Sequence, residues 1–208
     1  MILKVCGVTS AEDARAAIDS GATAIGFNFY PRSPRYITAD GAAAIPTPGV
    51  RRVGVFVNQS PLRIALIARV AALDTAQLHG DEPPADYPEG LAVWKAVRVS
   101  PGFDFAPFAA LPVEALLLDG PAAQLYGGSG LTFDWSLAAA CPRRIIVAGG
   151  LDASNVARAV ELAHPWGVDA CSRIESAPGK KDHQKMHLYL QAAKAALSAP
   201  PRLEGARL

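Results

Sequence analysis

The chain has 208 residues, 50% of them hydrophobic and only 19% charged, which provides one substantial core beneath a lightly charged surface. Twenty Lys and Arg against nineteen Asp and Glu leave a formal net charge of +1, so no clustered basic excess marks a nucleic-acid partner. Cys6, Cys141 and Cys171 lie far apart without a CxxC pair, which argues against a disulfide framework and against a zinc site.

In chain order, Ile2–Cys6 predicts a first strand. Its apolar run is interrupted by Lys4 and is too short for a signal peptide. No later run reaches the length of a membrane span, so a soluble, cytoplasmic protein without a membrane partner is expected. Ser10 stands three residues before Asp13, as in a capping box, and opens a helix over Ser10–Ser20 that Gly21 terminates. A strand over Ala24–Asn28, a helix over Ala39–Ile45 and a strand over Arg52–Val57 follow. Ser60-Pro61, a cap donor before a first-turn proline, begins a helix over Pro61–Ala72. Strands are then expected at Thr75–Leu78, Val93–Val99 and Ala115–Asp119, with only short or irregular helices in the Pro-rich stretches 81–90 and 101–112. The remaining elements are a helix over Trp135–Ala140, a strand over Arg144–Ala148, a helix over Asn155–Ala163, a strand over Val168–Ser172 and a helix over Asp182–Leu197. The Pro-, Gly- and Ala-bearing residues 198–208 read as a poorly ordered tail behind one domain, 1–197.

Eight strands that read as continuous apolar runs, alternating with helices, fit parallel strands covered on both faces. A closed (β/α)8 TIM barrel and an open doubly wound sheet both have that pattern. Two observations favour the barrel. No GxGxxG follows the first strand, where the sequence is Cys6-Gly7-Val8-Thr9. Polar or glycine residues close nearly every strand: Cys6, Asn28, Asn58, His79, Arg98, Asp119, Gly149-Gly150 and Ser172. A barrel gathers those ends into one mouth; an open sheet would spread them along a line.

Several of these residues have chemistry to offer. Cys6 is a small hydrophobe or, with its pKa lowered, a thiolate base. Asp119, just beyond Leu116-Leu117-Leu118, is a loop cap or a carboxylate at the mouth. Gly127-Gly128-Ser129-Gly130, Ala148-Gly149-Gly150-Leu151 and Cys171-Ser172-Arg173 are candidates for phosphate binding, because loops after strands seven and eight often present backbone N–H groups to an anion. Arg35, in a Pro-stiffened loop, is a solvated charge or a bidentate partner for a carboxylate. His79 is a structural hydrogen-bonding residue or a ligand contact.

Together these segments resemble the phosphoribosylanthranilate isomerase family from about Lys4 to Lys194. The motifs are KVCG at 4–7, GATAIGFNFYPRSPRYI at 21–37, GVFVN at 54–58, QLHG at 77–80, LLLD at 116–119, GGSGLTFDW at 127–135, AGGL at 148–151 and GVDACSRIESAPGKKD at 167–182. The resemblance implies an Amadori rearrangement of a phosphoribosyl-anthranilate in tryptophan biosynthesis, with no metal and no organic cofactor, by a monomer or homodimer. It also implies roles: Cys6 as general base, Asp119 as general acid, Arg35 on the anthranilate carboxylate, and Gly149, Gly150 and Ser172 at the phosphate. The sequence departs from the family at Arg173, where the family usually has glycine. Arginine there adds a charge contact to phosphate or restricts a backbone that glycine leaves free. Two rivals stay open: a related phosphosugar isomerase of the histidine pathway, which carries aspartate where this chain has Cys6, and a silent barrel that senses a phosphorylated ligand and needs neither Cys6 nor Asp119.

Overall fold

A computed structural model describes residues 1–120 and 132–199. Eight strands, β1 (Ile2–Cys6), β2 (Ala24–Asn28), β3 (Arg51–Phe56), β4 (Thr75–Leu78), β5 (Ala92–Arg98), β6 (Ala115–Asp119), β7 (Ile145–Val147) and β8 (Gly167–Ala170), pair in parallel in sequence order. β8 returns to β1, with Lys4 opposite Asp169 and Val5 opposite Ala170, and closes a barrel. The expected TIM barrel is the observed fold.

Side-chain alternation sorts each strand into two cores. On β1, Leu3 and Val5 join the outer layer packed under the helices. Ile2 belongs to an inner cluster with Ala24, Val53, Trp94, Leu117 and Ile146 that fills the barrel. Lys4 and Cys6 follow Ile2 at the same two-residue period, which puts an ammonium and a thiol inside the barrel above an apolar floor.

The helices are α1 (Ala11–Asp19), α2 (Ala39–Ala43), α3 (Pro61–Val70), α4 (Val156–Ala163) and α5 (His183–Ser198). The Ser10 hydroxyl accepts from the Asp13 N–H at 3.1 Å, and Ser60 accepts from Arg63 at 3.3 Å, so both expected caps form. The Asp182 carboxylate caps α5 at 3.0 Å, and the helix buries Met186, Tyr189 and Leu190 against the barrel. No helix among the described residues is long and apolar enough to cross a membrane.

Three local features differ from the expectation. Trp135–Ala140 is 3-10 helix. It is only six residues long and runs into Cys141, which takes an extended conformation before Pro142, as a residue preceding proline prefers. β8 ends at Ala170, because Cys171 leaves the strand conformation and Ser172–Ile174 form a 3-10 turn. Beyond it a small hairpin, β9 (Glu175–Ala177) and β10 (Lys180–Lys181), folds around Gly179, whose φ is +81°. As expected, the Pro-rich stretches hold only short 3-10 turns, at Pro84–Asp86 and Ala106–Phe108. The glycines of 127–130 and the tail beyond Ala199 lie outside the described residues.

Candidate active site

The strand ends surround a cavity of about 290 Å³. Each described residue given a candidate chemical role from the sequence lines it: Cys6, Arg35, His79, Asp119, Gly149, Gly150, Ser172 and Arg173; of the polar strand ends, Asn58 and Arg98 do not. The grouping follows from the parallel barrel, which sends the carboxyl ends of all eight strands to one face.

Cys6 is buried at the end of β1, one position above Lys4 in the inward-facing column. Gly26 on the neighbouring strand allows the close approach of the two groups. A Cβ at that position would lie 2.9 Å from the Cys6 sulfur and 3.0 Å from Lys4 Nζ. The Cys6 thiol is held well below its ordinary pKa, first by the hydrogen bond from Cys171 and then by the Lys4 and Lys181 ammonium groups, which together outweigh burial. Lys4 itself is fully buried and pairs with Asp169 at 2.8 Å. One ammonium thus serves two acids. Burial raises Asp169 to about 7, the negative Cys6 and Asp119 add to that rise, and Lys4 opposes it.

Asp119 closes β6, three strands from β1 around the barrel. One of its oxygens accepts from the Gly120 N–H at 2.8 Å, and the other is 3.5 Å from His79 Nε2. The second nitrogen of His79 lies 3.1 Å from Gln77 Nε2. Because an amide N–H can only donate, His79 Nδ1 is the acceptor and Nε2 carries the proton toward Asp119. Gln77, His79 and Asp119 therefore form a chain along one wall that fixes the carboxylate.

Arg35 extends from the loop after β2 and makes a fork with Glu175, with Nε at 2.9 Å from one oxygen and Nη2 at 2.7 Å from the other. Lys181 reaches the same carboxylate at 2.8 Å. Burial alone would raise Glu175, but Arg35 and Lys181 hold it below the usual carboxylate range. The expected carboxylate-binding arginine is thus already held on one edge by a protein carboxylate, at the wall of the cavity.

The remaining rim is made by the loops after β7 and β8. Gly149 and Gly150 both have positive φ, +81° and +61°, a conformation that L side chains rarely adopt. The Gly150 carbonyl accepts from the Asn155 side chain at 2.8 Å, which ties that loop to the start of α4. Arg173 Nη1 meets Asp152 at 3.2 Å across the two loops.

Reading the sequence alone passed over Lys4, Asp169, Glu175 and Lys181, and took Cys171 only as part of a phosphate-binding stretch. Lys4 and Asp169 had a signal, since each is a charge inside a strand buried on both faces, where only a partner makes it tolerable. Glu175 and Lys181 had none, and Cys171 had none as a partner of Cys6, because the turn and hairpin that direct them inward follow no strand or helix period.

Fold and site define a TIM-barrel enzyme with acid–base groups around a ligand-sized mouth. The sequence model of the family described as N-(5'phosphoribosyl)anthranilate (PRA) isomerase matches residues 3–192. An N-(5'-phosphoribosyl)anthranilate isomerase of Solibacter usitatus is 74% identical over 199 residues, covering 96% of this chain and 100% of that protein. The phosphoribosyl anthranilate isomerase structure from Thermus thermophilus superposes with a TM-score of 0.86 at 36% identity, covering 94% of this chain and 99% of that one. A phosphoribosyl anthranilate isomerase structure in complex with reduced 1-(o-carboxyphenylamino)-1-deoxyribulose 5-phosphate gives 0.82 at 38% identity, over 94% and 100% of the two chains. The chain belongs to the phosphoribosylanthranilate isomerase family.

Proposed function

We propose that this barrel carries out its family's reaction with Cys6 as base and Asp119 as acid. The enzyme converts N-(5'-phosphoribosyl)anthranilate to 1-(2-carboxyphenylamino)-1-deoxyribulose 5-phosphate in tryptophan biosynthesis. Asp119, which must enter the step as the protonated acid, donates that proton to the ribose ring oxygen and becomes the carboxylate. The C1'–O bond breaks, and the nitrogen lone pair forms an iminium. The Cys6 thiolate then removes the C2' proton. The iminium collapses to an enolamine, and its tautomerisation gives the ketose. Metal and organic cofactor have no step in this scheme.

The observation that carries the assignment is the thiol of Cys6, stabilised as thiolate and facing the same cavity as Asp119. An effective base needs a pKa near the working pH, which an ordinary thiol lacks. The phosphate is assigned to the backbone of Gly149, Gly150 and Ser172, with α4 behind the first loop. The substrate carboxylate is assigned to Arg35. His79 takes part by orienting Asp119.

Histidine-pathway chemistry is disfavoured by Cys6 itself, and a silent sensor has no use for a lowered thiol. The test mixes purified protein with freshly made phosphoribosylanthranilate and follows the decay of anthranilate fluorescence. Cys6→Ala should lower the rate by about 10²–10⁴-fold with the fold unchanged. A near-wild-type rate would remove Cys6 from the mechanism.

A further inference from the structure

The mechanism uses one thiol, yet two face the cavity. Cys171 stands just past the end of β8, one residue beyond the last pair of the β1–β8 ladder, Val5 with Ala170, and Cys6 lies one residue beyond that pair on β1. Both line the cavity, and each thiol acts on the ionisation of the other, Cys171 favouring the thiolate of Cys6. A Cβ placed on Gly7, the residue next to Cys6, would lie 3.1 Å from the Cys171 sulfur. Paired residues on adjacent strands, such as Val5 and Ala170, are about 4.8 Å apart. Cys6 and Cys171 each follow that pair by one residue, and a disulfide spans Cα separations of about 4.4–6.8 Å.

We propose that Cys6 and Cys171 form a peroxide-reactive pair, in which Cys6 is oxidised first and Cys171 resolves it to an intramolecular disulfide. The Cys6 thiolate attacks one oxygen of a hydroperoxide, the O–O bond breaks, and the departing hydroxide or alkoxide takes up a proton. Cys6 is then a sulfenic acid. The Cys171 sulfur, giving up its proton, attacks the Cys6 sulfur; the S–S bond forms, the S–O bond breaks, and the oxygen leaves as water. Two thiols lose two electrons, and the peroxide accepts them.

The charges around Cys171 suit the second step. In the reduced protein the hydrogen bond to the Cys6 thiolate and burial keep Cys171 protonated, while Lys181 and Arg35 pull the other way. Lys181 Nζ is 3.9 Å from the Cys171 sulfur. Oxidation of Cys6 to a neutral sulfenic acid removes the opposing negative charge. The two cations then favour the Cys171 thiolate, which is the attacking species in disulfide formation. Cys141 is remote from this chemistry, since it lies before β7, at the other end of the barrel.

The disulfide itself does not depend on the isomerase assignment; the loss of activity does, because it rests on Cys6 being the base. The fully reduced full-length protein is exposed to hydrogen peroxide and examined by intact mass, by non-reducing digestion and by isomerase assay. The expected result is a mass about 2 Da lower, a cross-link between the peptides holding residues 6 and 171, and lost activity that dithiothreitol restores. Cys171→Ser, shown to be folded by its melting curve, should instead gain about 16 or 32 Da at Cys6 with no cross-link, and Cys171→Ala should do the same. Oxygen adducts in the wild type matching those of the variants would overturn the proposal, as would no reaction at Cys6 or a cross-link through Cys141. A clean Cys6–Cys171 disulfide with undiminished activity would support the pair and overturn the role of Cys6 as base.

Discussion

Lys4 is a lysine that does not reach water, and its position explains the reactivity of its neighbour. It sits among apolar side chains, is neutralised by Asp169, and still supplies positive charge to Cys6. Iodoacetamide should therefore alkylate Cys6 with a pH inflection well below the ordinary thiol value of 9.0, and Lys4→Met should move that inflection upward. An inflection that stays in place would assign the lowered thiol to Cys171 and Lys181 alone. At Asp119, replacement by Asn preserves shape and loses the transferable proton. The expected result is a fall in kcat with KM little changed; a rise in KM at constant kcat would make Asp119 a binding group. Both residues were legible in the sequence because each ends an apolar strand. Among the partners that tune Cys6, Lys4 carried a signal as a charge inside a buried strand, whereas Cys171 and Lys181 come from the opposite end of the chain and carried none for this role.

At the scale of elements, the hairpin of β9 and β10 and the loops of the rim do the positioning. Arg35 and Glu175 join the loop after β2 to the hairpin, so Arg35 is at once a brace and a candidate contact for the substrate carboxylate. Arg35→Met should weaken a product analogue that bears the carboxylate far more than one that lacks it; equal weakening of both would leave only the brace. The Arg173 and Asp152 pair joins the two phosphate-side loops, with the arginine side chain 47% exposed. Exposed pairs contribute about 0–1 kcal/mol, so Arg173→Gly should lower the melting temperature only slightly. Adding Asp152→Asn should bring little further change, because both substitutions remove one interaction; additive losses would break the assignment. The eight strands could be read in advance from their apolar runs, with ends displaced by a residue or two where loop geometry decides. The hairpin could not, since strands of three and two residues carry no readable period.

For the molecule as a whole, the pair of Lys4 and Asp169 is the charged contact across the β8–β1 seam where the barrel closes. Lys4→Met should destabilise the protein by about 3–5 kcal/mol in urea, by leaving a buried carboxylate without its cation. Asp169→Leu in the same chain should recover much of that loss. Asp169 also imposes a pH dependence. Its pKa rises from 3.8 in the unfolded chain to about 7 in the barrel, so the native state binds the extra proton between those values. Its contribution is therefore most favourable at low pH and declines as pH rises through that window, and Asp169→Asn should remove this slope from the stability profile. The closed topology was readable because polar strand ends make sense only when gathered together, while the ion pair at its seam joins residues 165 positions apart. That separation has a consequence for biosynthesis. Cys6 and Lys4 are among the first residues to leave the ribosome, but Cys171 and Lys181, the other groups that lower the Cys6 thiol, are among the last. Until β8 docks on β1 the thiol lacks these partners, so a stalled or truncated chain lacks the full reactive group however much of the barrel it has assembled. In refolding, catalytic activity should return only in the final phase, after tryptophan fluorescence has reported the burial of Trp94, because contacts so distant in sequence close late.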